Sequence, residues 1–489
     1  MSALRFRLPP DLPDNVHRWL TFAYLQRGSE CLPVATSVAV EEEQLVLHPC
    51  ETVASVAACI PWMVGSELWM LATTTLMPRL RPYDLVRELA RGQLHQVREL
   101  ATAWEEAGLI SPRELTAHLR QALRQFLYSA QAGQEAHGRS ARQALQFAMV
   151  AGQALTLETA RSLAQARQER SPVPFYVGHV LDRVTHVGDL TPLYPTFQGI
   201  RLTCPFDPQA CEQESYWWHL HLTLDCLRRQ GWQVCLGPFF DFASTHFYEL
   251  WQSLNNKEQF LQRGILFLSR MCAHAEFVHD WHIASAVNLF PTELGLEEGI
   301  RFLGRLLRPI KRLLRGKNVS VGLAHPFGEL AARSQEHPIP VLLADWLSRA
   351  DLGLTALDLE LIFECEPRGS FLRPPWSISH LFDVFSDIQL PLHLSLGLPA
   401  THESDALADP PDQEVFVPAN EDWQAAWASA LLDLALAHPN VQRVTWLDAS
   451  DAIPHLVPHG GLLDKNGRPR PVLQAFRQRC PHFLRQKTD

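Results

Sequence analysis

The sequence predicts an α/β chain built on a (β/α)8 TIM barrel, with an N-terminal β-rich and helical accessory region. Three observations predict it. Beyond residue 171, eight strand candidates alternate with helical stretches to the C-terminus. No glycine-rich phosphate loop follows the first of those strands, as an open doubly wound sheet would normally show. The chain has 489 residues, 46% of them hydrophobic, enough for one large barrel and an accessory part.

Residues 1–77 read as a small β-rich unit. Val38 and Val40 alternate with small or polar neighbours, Leu45-Val46-Leu47 follows an acidic turn, and 68–77 is rich in bulky and β-branched residues. The pattern turns helical over 78–171. Leu85, Leu89, Leu94, Val97 and Leu100 recur near one face, Ser111 and Pro112 make a helix start, and Gly133 and Gly138 mark breaks. The run Ser171-Pro172-Val173-Pro174 is a boundary, and 172–489 is assigned to the barrel. Its strands are expected at 175–181, 199–204, 232–237, 277–285, 318–324, 357–364, 391–398 and 442–448. Helices are expected at 212–230, 246–275, 293–315, 338–350, 376–387, 420–437 and 469–479.

Composition removes several classes of function. With 53 Asp+Glu against 43 Lys+Arg the net charge is -10, which opposes general nucleic-acid binding. No apolar run is long enough to span a bilayer, the stretch 53–65 being interrupted by Pro61, so no membrane partner is expected. The first residues lack the apolar core of a signal peptide, which makes a cytoplasmic location the expectation. Ten Cys occur without a CxxC pair or zinc spacing, so they read as reduced thiols, and neither metal nor cofactor is expected.

In a TIM barrel, function sits at the C-terminal ends of the strands. That rule selects Asp241 after the third strand, then Trp281, His282 and Asn288 on the fourth. It adds Glu329 after the fifth, Glu360 on the sixth and His393 on the seventh, with Trp446, Asp448, His455 and His459 on and after the eighth. Asp241, Glu329 and Glu360 are the candidate catalytic carboxyls, and the others are candidate binding groups. Carboxylates, imidazoles and indoles together suit glycoside chemistry, in which two carboxyls share the work and aromatic rings hold sugars. Glu360 lies mid-strand in Leu357–Glu364, where an inward carboxylate is costly unless paired or functional. Each candidate also has a plainer reading: Glu329 as the partner of an Arg such as Arg333 or a helix cap, Asp241 as a loop cap, the two Trp as core.

The C-terminal run 444–476, with Gly460, Gly461, Leu462, Asp464, Gly467, Pro469 and Pro471, resembles the eighth strand and closing helix of glycoside hydrolase family 10. Residues 281–288 resemble that family's fourth-strand motif, and 390–399 its seventh-strand motif. The stretches 325–332, 367–383 and 424–446 are similar to a divergent bacterial, xylanase-like branch. The resemblance implies a barrel of retaining β-xylanase type acting on a carbohydrate. It also implies an altered site, because the acid/base position counts to Ala286 and the nucleophile position to Leu396. Neither side chain can transfer a proton or attack an anomeric carbon. Two readings follow: a glycosidase of altered mechanism on β-linked oligosaccharides, or a non-catalytic barrel that binds carbohydrate or a protein.

Overall fold

The computed structural model describes residues 3–12, 16–41, 43–106, 113–131, 134–181, 187–209, 212–254, 256–411, 413–416 and 419–480. Ser111, Pro112 and Gly133, the helix start and one of the breaks read from the sequence, lie outside the described residues. Gly138, the other expected break, is instead carried inside the helix Gln134–Arg170, where a lone glycine weakens a helix without ending it. The chain divides into two compact units.

The second unit (163–326, 336–370 and 382–489) holds the barrel. Its strands are β1 (Phe175–Val180), β2 (Gly199–Thr203), β3 (Gln233–Leu236), β4 (Asp280–Ser285), β5 (Asn318–Leu323), β6 (Ala356–Ile362), β7 (Leu392–Gly397) and β8 (Val441–Trp446). Each pairs in parallel with the next, and β8 returns to β1 with Val444 opposite Phe175, so the sheet closes and has no edge. A two-residue extension, Phe240–Asp241, follows β3 and pairs with Ala284 and Ser285 of β4. Helices follow the strands, among them Glu214–Arg229, Lys257–His274 and Glu421–Ala437. The last two begin at asparagine caps: Asn256 accepts from Glu258 and Gln259 N–H, and Asn420 from Trp423 N–H.

Closure explains the unusual pattern of β6. All seven residues are buried, yet Asp358 and Glu360 alternate with Leu357, Leu359 and Leu361. A strand presents alternate side chains to opposite faces, so the leucines meet the helices and the carboxyls enter the barrel. Inside, Arg201 of β2 donates to Asp358 at 2.8 Å and to Ser395 of β7 at 2.7 Å, and Ser395 Oγ donates to Asp358 at 2.6 Å. His282 of β4 lies 3.0 Å from both Ser320 Oγ and Ser285 Oγ. Nearer the N-terminal ends, Arg443 of β8 pairs with Asp280 and stacks 4.2 Å over the Tyr176 ring.

The first unit (1–162 with 327–335 and 371–381) contains two four-stranded sheets, three long helices and shorter ones such as Val16–Leu20. One sheet orders Thr36–Glu41, Gln44–Pro49, Leu4–Arg7 and Tyr83–Asp84; the other Leu32–Val34, Tyr24–Arg27, Ala57–Val64 and Glu67–Ala72. The single strand expected at 68–77 is thus the second arm of a hairpin ending at Ala72. The long helices are Leu85–Glu106, Arg113–Gln131 and Gln134–Arg170. No described helix is long and apolar enough to cross a membrane.

Arg201 and Asp358 are 5% and 3% exposed, so each neutralises the other out of reach of water. Arg201→Met leaves Asp358 as an uncompensated buried charge and is expected to cost about 3–5 kcal/mol. Adding Asp358→Leu is expected to recover much of that loss. Chemical denaturation of the two variants checks it.

Candidate functional site

Glu360 is the inward carboxyl nearest the C-terminal end of β6. It reaches across β5, where only glycine leaves room: a Cβ on Gly322 would lie 2.4 Å from Glu360 Oε1 and 3.2 Å from Ser285 Cα. Beyond Gly322 its Oε1 accepts from the Ala286 amide at 2.9 Å. Ala286 is left-handed, with φ 52°, which turns that amide towards the barrel axis. The backbone of residue 286 is thus met by a carboxyl from two strands away. Burial, then the charges of Asp241 and Asp358, push the Glu360 pKa up to about 7.

Asp241 belongs to the extension after β3. Both of its oxygens are taken by the Arg368 guanidinium, at 3.0 and 2.6 Å, a bidentate clamp. Arg368 also donates to the Asp409 carbonyl at 3.0 Å and lies 3.7 Å from the Asp409 carboxylate. It therefore ties together the loops after β3, β6 and β7, and its charge lowers the cost of a carboxylate at Glu360.

A cavity of about 170 Å3 opens at the C-terminal ends of β1, β2 and β3 and the loop after β8. Phe206, Phe239 and Phe247 supply apolar wall, and Asp241, Asp409 and His455 supply charge. His455 Nδ1 faces the Ile453 carbonyl at 2.8 Å and Nε2 faces Asp405 Oδ2 at 2.8 Å. Both partners only accept, so both ring nitrogens carry hydrogen and the ring is an imidazolium. Burial opposes that charge, but Asp448, the Ile453 carbonyl and Asp405 outweigh it and raise the pKa.

The remaining candidates are placed as follows. Glu329 lies in the first unit, at the start of the short helix Glu329–Arg333 and not at the end of a barrel strand, and it pairs with an arginine, Arg373, at 2.8 Å. Trp281 and Trp446 are 1% and 0% exposed, their N–H groups donating to the Val278 and Gly460 carbonyls. An indole with no free face cannot stack on a sugar, so the platform reading of both is corrected to core. His282 is sealed in the barrel, where burial, Arg201, His393 and Arg443 keep it neutral. His393 is likewise held neutral by burial, Arg443 and Arg201. Asn288 holds the backbone of Ala324 from both ends of its amide, at 2.9 Å each. Asp448 accepts from Leu456 and Val457 N–H and so shapes the loop after β8. His459 lies 3.3 Å from Asp405, beside His455. Of the candidates, the structure gathers Asp241, Glu360 and His455 around the barrel end and places the others in framework roles.

Leu396 shares the outward face of β7 with Leu394, opposite in the pleat to Ser395. The next inward position is Gly397, where a Cβ would meet Val457 at 2.7 Å and Leu447 at 3.1 Å. Ile362, Cys365, Leu447 and Val457 form an apolar cluster there. Arg368, Asp405 and Asp409 were not singled out by sequence. No spacing marks them, because the side chains they meet lie 41 to 164 residues away. No group of three or more metal-ligating side chains occurs among the described residues.

The raised pKa of Glu360 has a definite sign. The folded chain favours the protonated form, so its contribution to stability is complete below the ordinary value of 4.5. It falls as pH rises to about 7. The difference is on the order of 3 kcal/mol. Carbon NMR of the Glu360 carboxyl is expected to show a midpoint near 7, and Glu360→Gln to remove the decline in stability across that window. A midpoint near the ordinary value contradicts the enclosure.

No family model matches the chain, and no curated protein does. Solved structures with a similar fold include xylanase 10B from Thermotoga petrophila RKU-1, at 12% identity over 68% of this chain and 98% of that one, TM-score 0.47. Xylanase 10B from Thermotoga maritima is 12% identical over 67% and 99%, TM-score 0.45. The GH39 enzyme from Xanthomonas axonopodis pv. citri is 13% identical over 62% and 65%, TM-score 0.43.

Proposed function

We propose that the chain binds the end of a β-linked oligosaccharide in the cavity at the C-terminal end of the barrel, and does not cleave it. One observation carries the second half: the candidate carboxyls at this end, Asp241 beside the cavity and Glu360 inside the barrel, are both committed to partners. Asp241 gives each oxygen to Arg368, and Glu360 is enclosed with an oxygen on the Ala286 amide. On β7, the inward place that could hold a second carboxyl is filled by Val457 and Leu447. The carbohydrate half rests on the family 10 resemblance of 444–476 and on a wall of aromatic, carboxylate and imidazolium groups. At about 170 Å3 the cavity is small beside the roughly 300 Å3 and more of pockets for larger ligands, which fits one ring and not a chain.

A second reading has its own support. A carboxyl with a pKa near 7 beside an ionised one is the arrangement of an acid and its partner in glycoside hydrolysis, and Glu360 adjoins residue 286. The two readings separate in one experiment. Xylo- and cello-oligosaccharides are titrated calorimetrically, with reducing ends assayed in parallel. Saturable binding without new reducing ends is expected, weakened at least tenfold by Thr203→Trp, which fills the cavity from the end of β2. Turnover that is abolished by Glu360→Gln would establish the hydrolase instead, and absence of binding to any sugar would overturn the carbohydrate reading.

A further inference from the structure

The charges around the cavity narrow the class of sugar. Asp241 and Asp409 both line it, and a single guanidinium, that of Arg368, serves the two. Asp241 takes that guanidinium at hydrogen-bond distance, whereas the Asp409 carboxylate stays 3.7 Å away. Asp409 Oδ1 accepts from Thr245 Oγ1 at 2.6 Å and from Thr245 N–H at 3.2 Å, neutral donors that orient the group without cancelling its charge. The imidazolium of His455 is already matched by Asp405 at 2.8 Å. His246 turns its Nε2 to the Phe206 carbonyl at 3.0 Å. The wall therefore keeps an excess of negative charge, centred on Asp409, which is 28% exposed.

A uronic acid would set a carboxylate against Asp241 and Asp409. A neutral sugar would leave the Asp409 charge without a further partner. An ammonium group supplies one.

We infer that the cavity selects an amino sugar carrying a free ammonium group, with Asp409 as its counter-ion. This rests on the carbohydrate reading above and specifies its ligand. The test uses three β-1,4-linked oligomers of equal length: glucose, glucosamine and N-acetylglucosamine. They differ only at the second carbon of each ring, and acetylation removes the charge while keeping the nitrogen. Calorimetric titration of the full chain at low salt is expected to show the glucosamine oligomer binding about tenfold more tightly than the glucose oligomer, with the N-acetylated oligomer no better than the glucose one. Added salt is expected to shrink the difference. Asp409→Asn, which keeps an oxygen for Thr245, is expected to bring the glucosamine oligomer to the level of the glucose one. Equal or tighter binding of the glucose oligomer overturns the charge selection and leaves the carbohydrate reading standing. An ammonium preference that survives Asp409→Asn overturns the assignment to Asp409. Failure of all three to bind overturns the carbohydrate reading as well.

Discussion

The guanidinium of Arg368 is the constraint on which the barrel end depends. It lies fully inside the protein, grips both oxygens of Asp241 from the loop after β3, and holds the loop after β7 through the Asp409 carbonyl. A charge so placed is stable only with its anion, and the anion only with it. The pair therefore sets where three loops can run. It also sets the field in which Glu360 titrates, since Asp241 disfavours the Glu360 anion and Arg368 favours it.

Below that lid the closed sheet imposes its own condition. A barrel without edges has an interior that side chains must fill, and here they are largely polar: Arg201, Asp358, Ser395, His282, Ser320, with Arg443 and Asp280 beyond. The full charges there are paired, Arg201 with Asp358 and Arg443 with Asp280. The cavity lies to one side, at the C-terminal ends of β1, β2 and β3, lined by apolar groups with Asp241, Asp409 and His455.

Much of the architecture was legible in the sequence because strand period and helix period differ, and the eight strands fall where that contrast places them. The inward turn of Glu360 was legible for the same reason: a carboxyl among alternating leucines must face one side or the other, and the leucines claim the outside. The partners of the site were not legible. Arg368 and Asp241 are separated by 127 residues and no periodicity links them. The Glu360 contact with Ala286 depends on a glycine at 322 and a left-handed residue at 286, both features of backbone and not of side-chain pattern. Trp281 and Trp446 misled because a strand-end position does not reveal whether an indole faces the mouth or the core. Glu329 misled because the segment 327–335, which follows a barrel strand in sequence, belongs to the other unit.

The central claim is that neither Asp241 nor Glu360 is free to attack an anomeric carbon. A retaining hydrolase forms a covalent glycosyl intermediate, which 2-deoxy-2-fluoro glycosides with good leaving groups trap. Intact-protein mass spectrometry after incubation with 2-fluoro xylosides and glucosides measures it directly. The account predicts an unchanged mass; stoichiometric addition of one fluorosugar, mapped to Asp241 or Glu360, would contradict it.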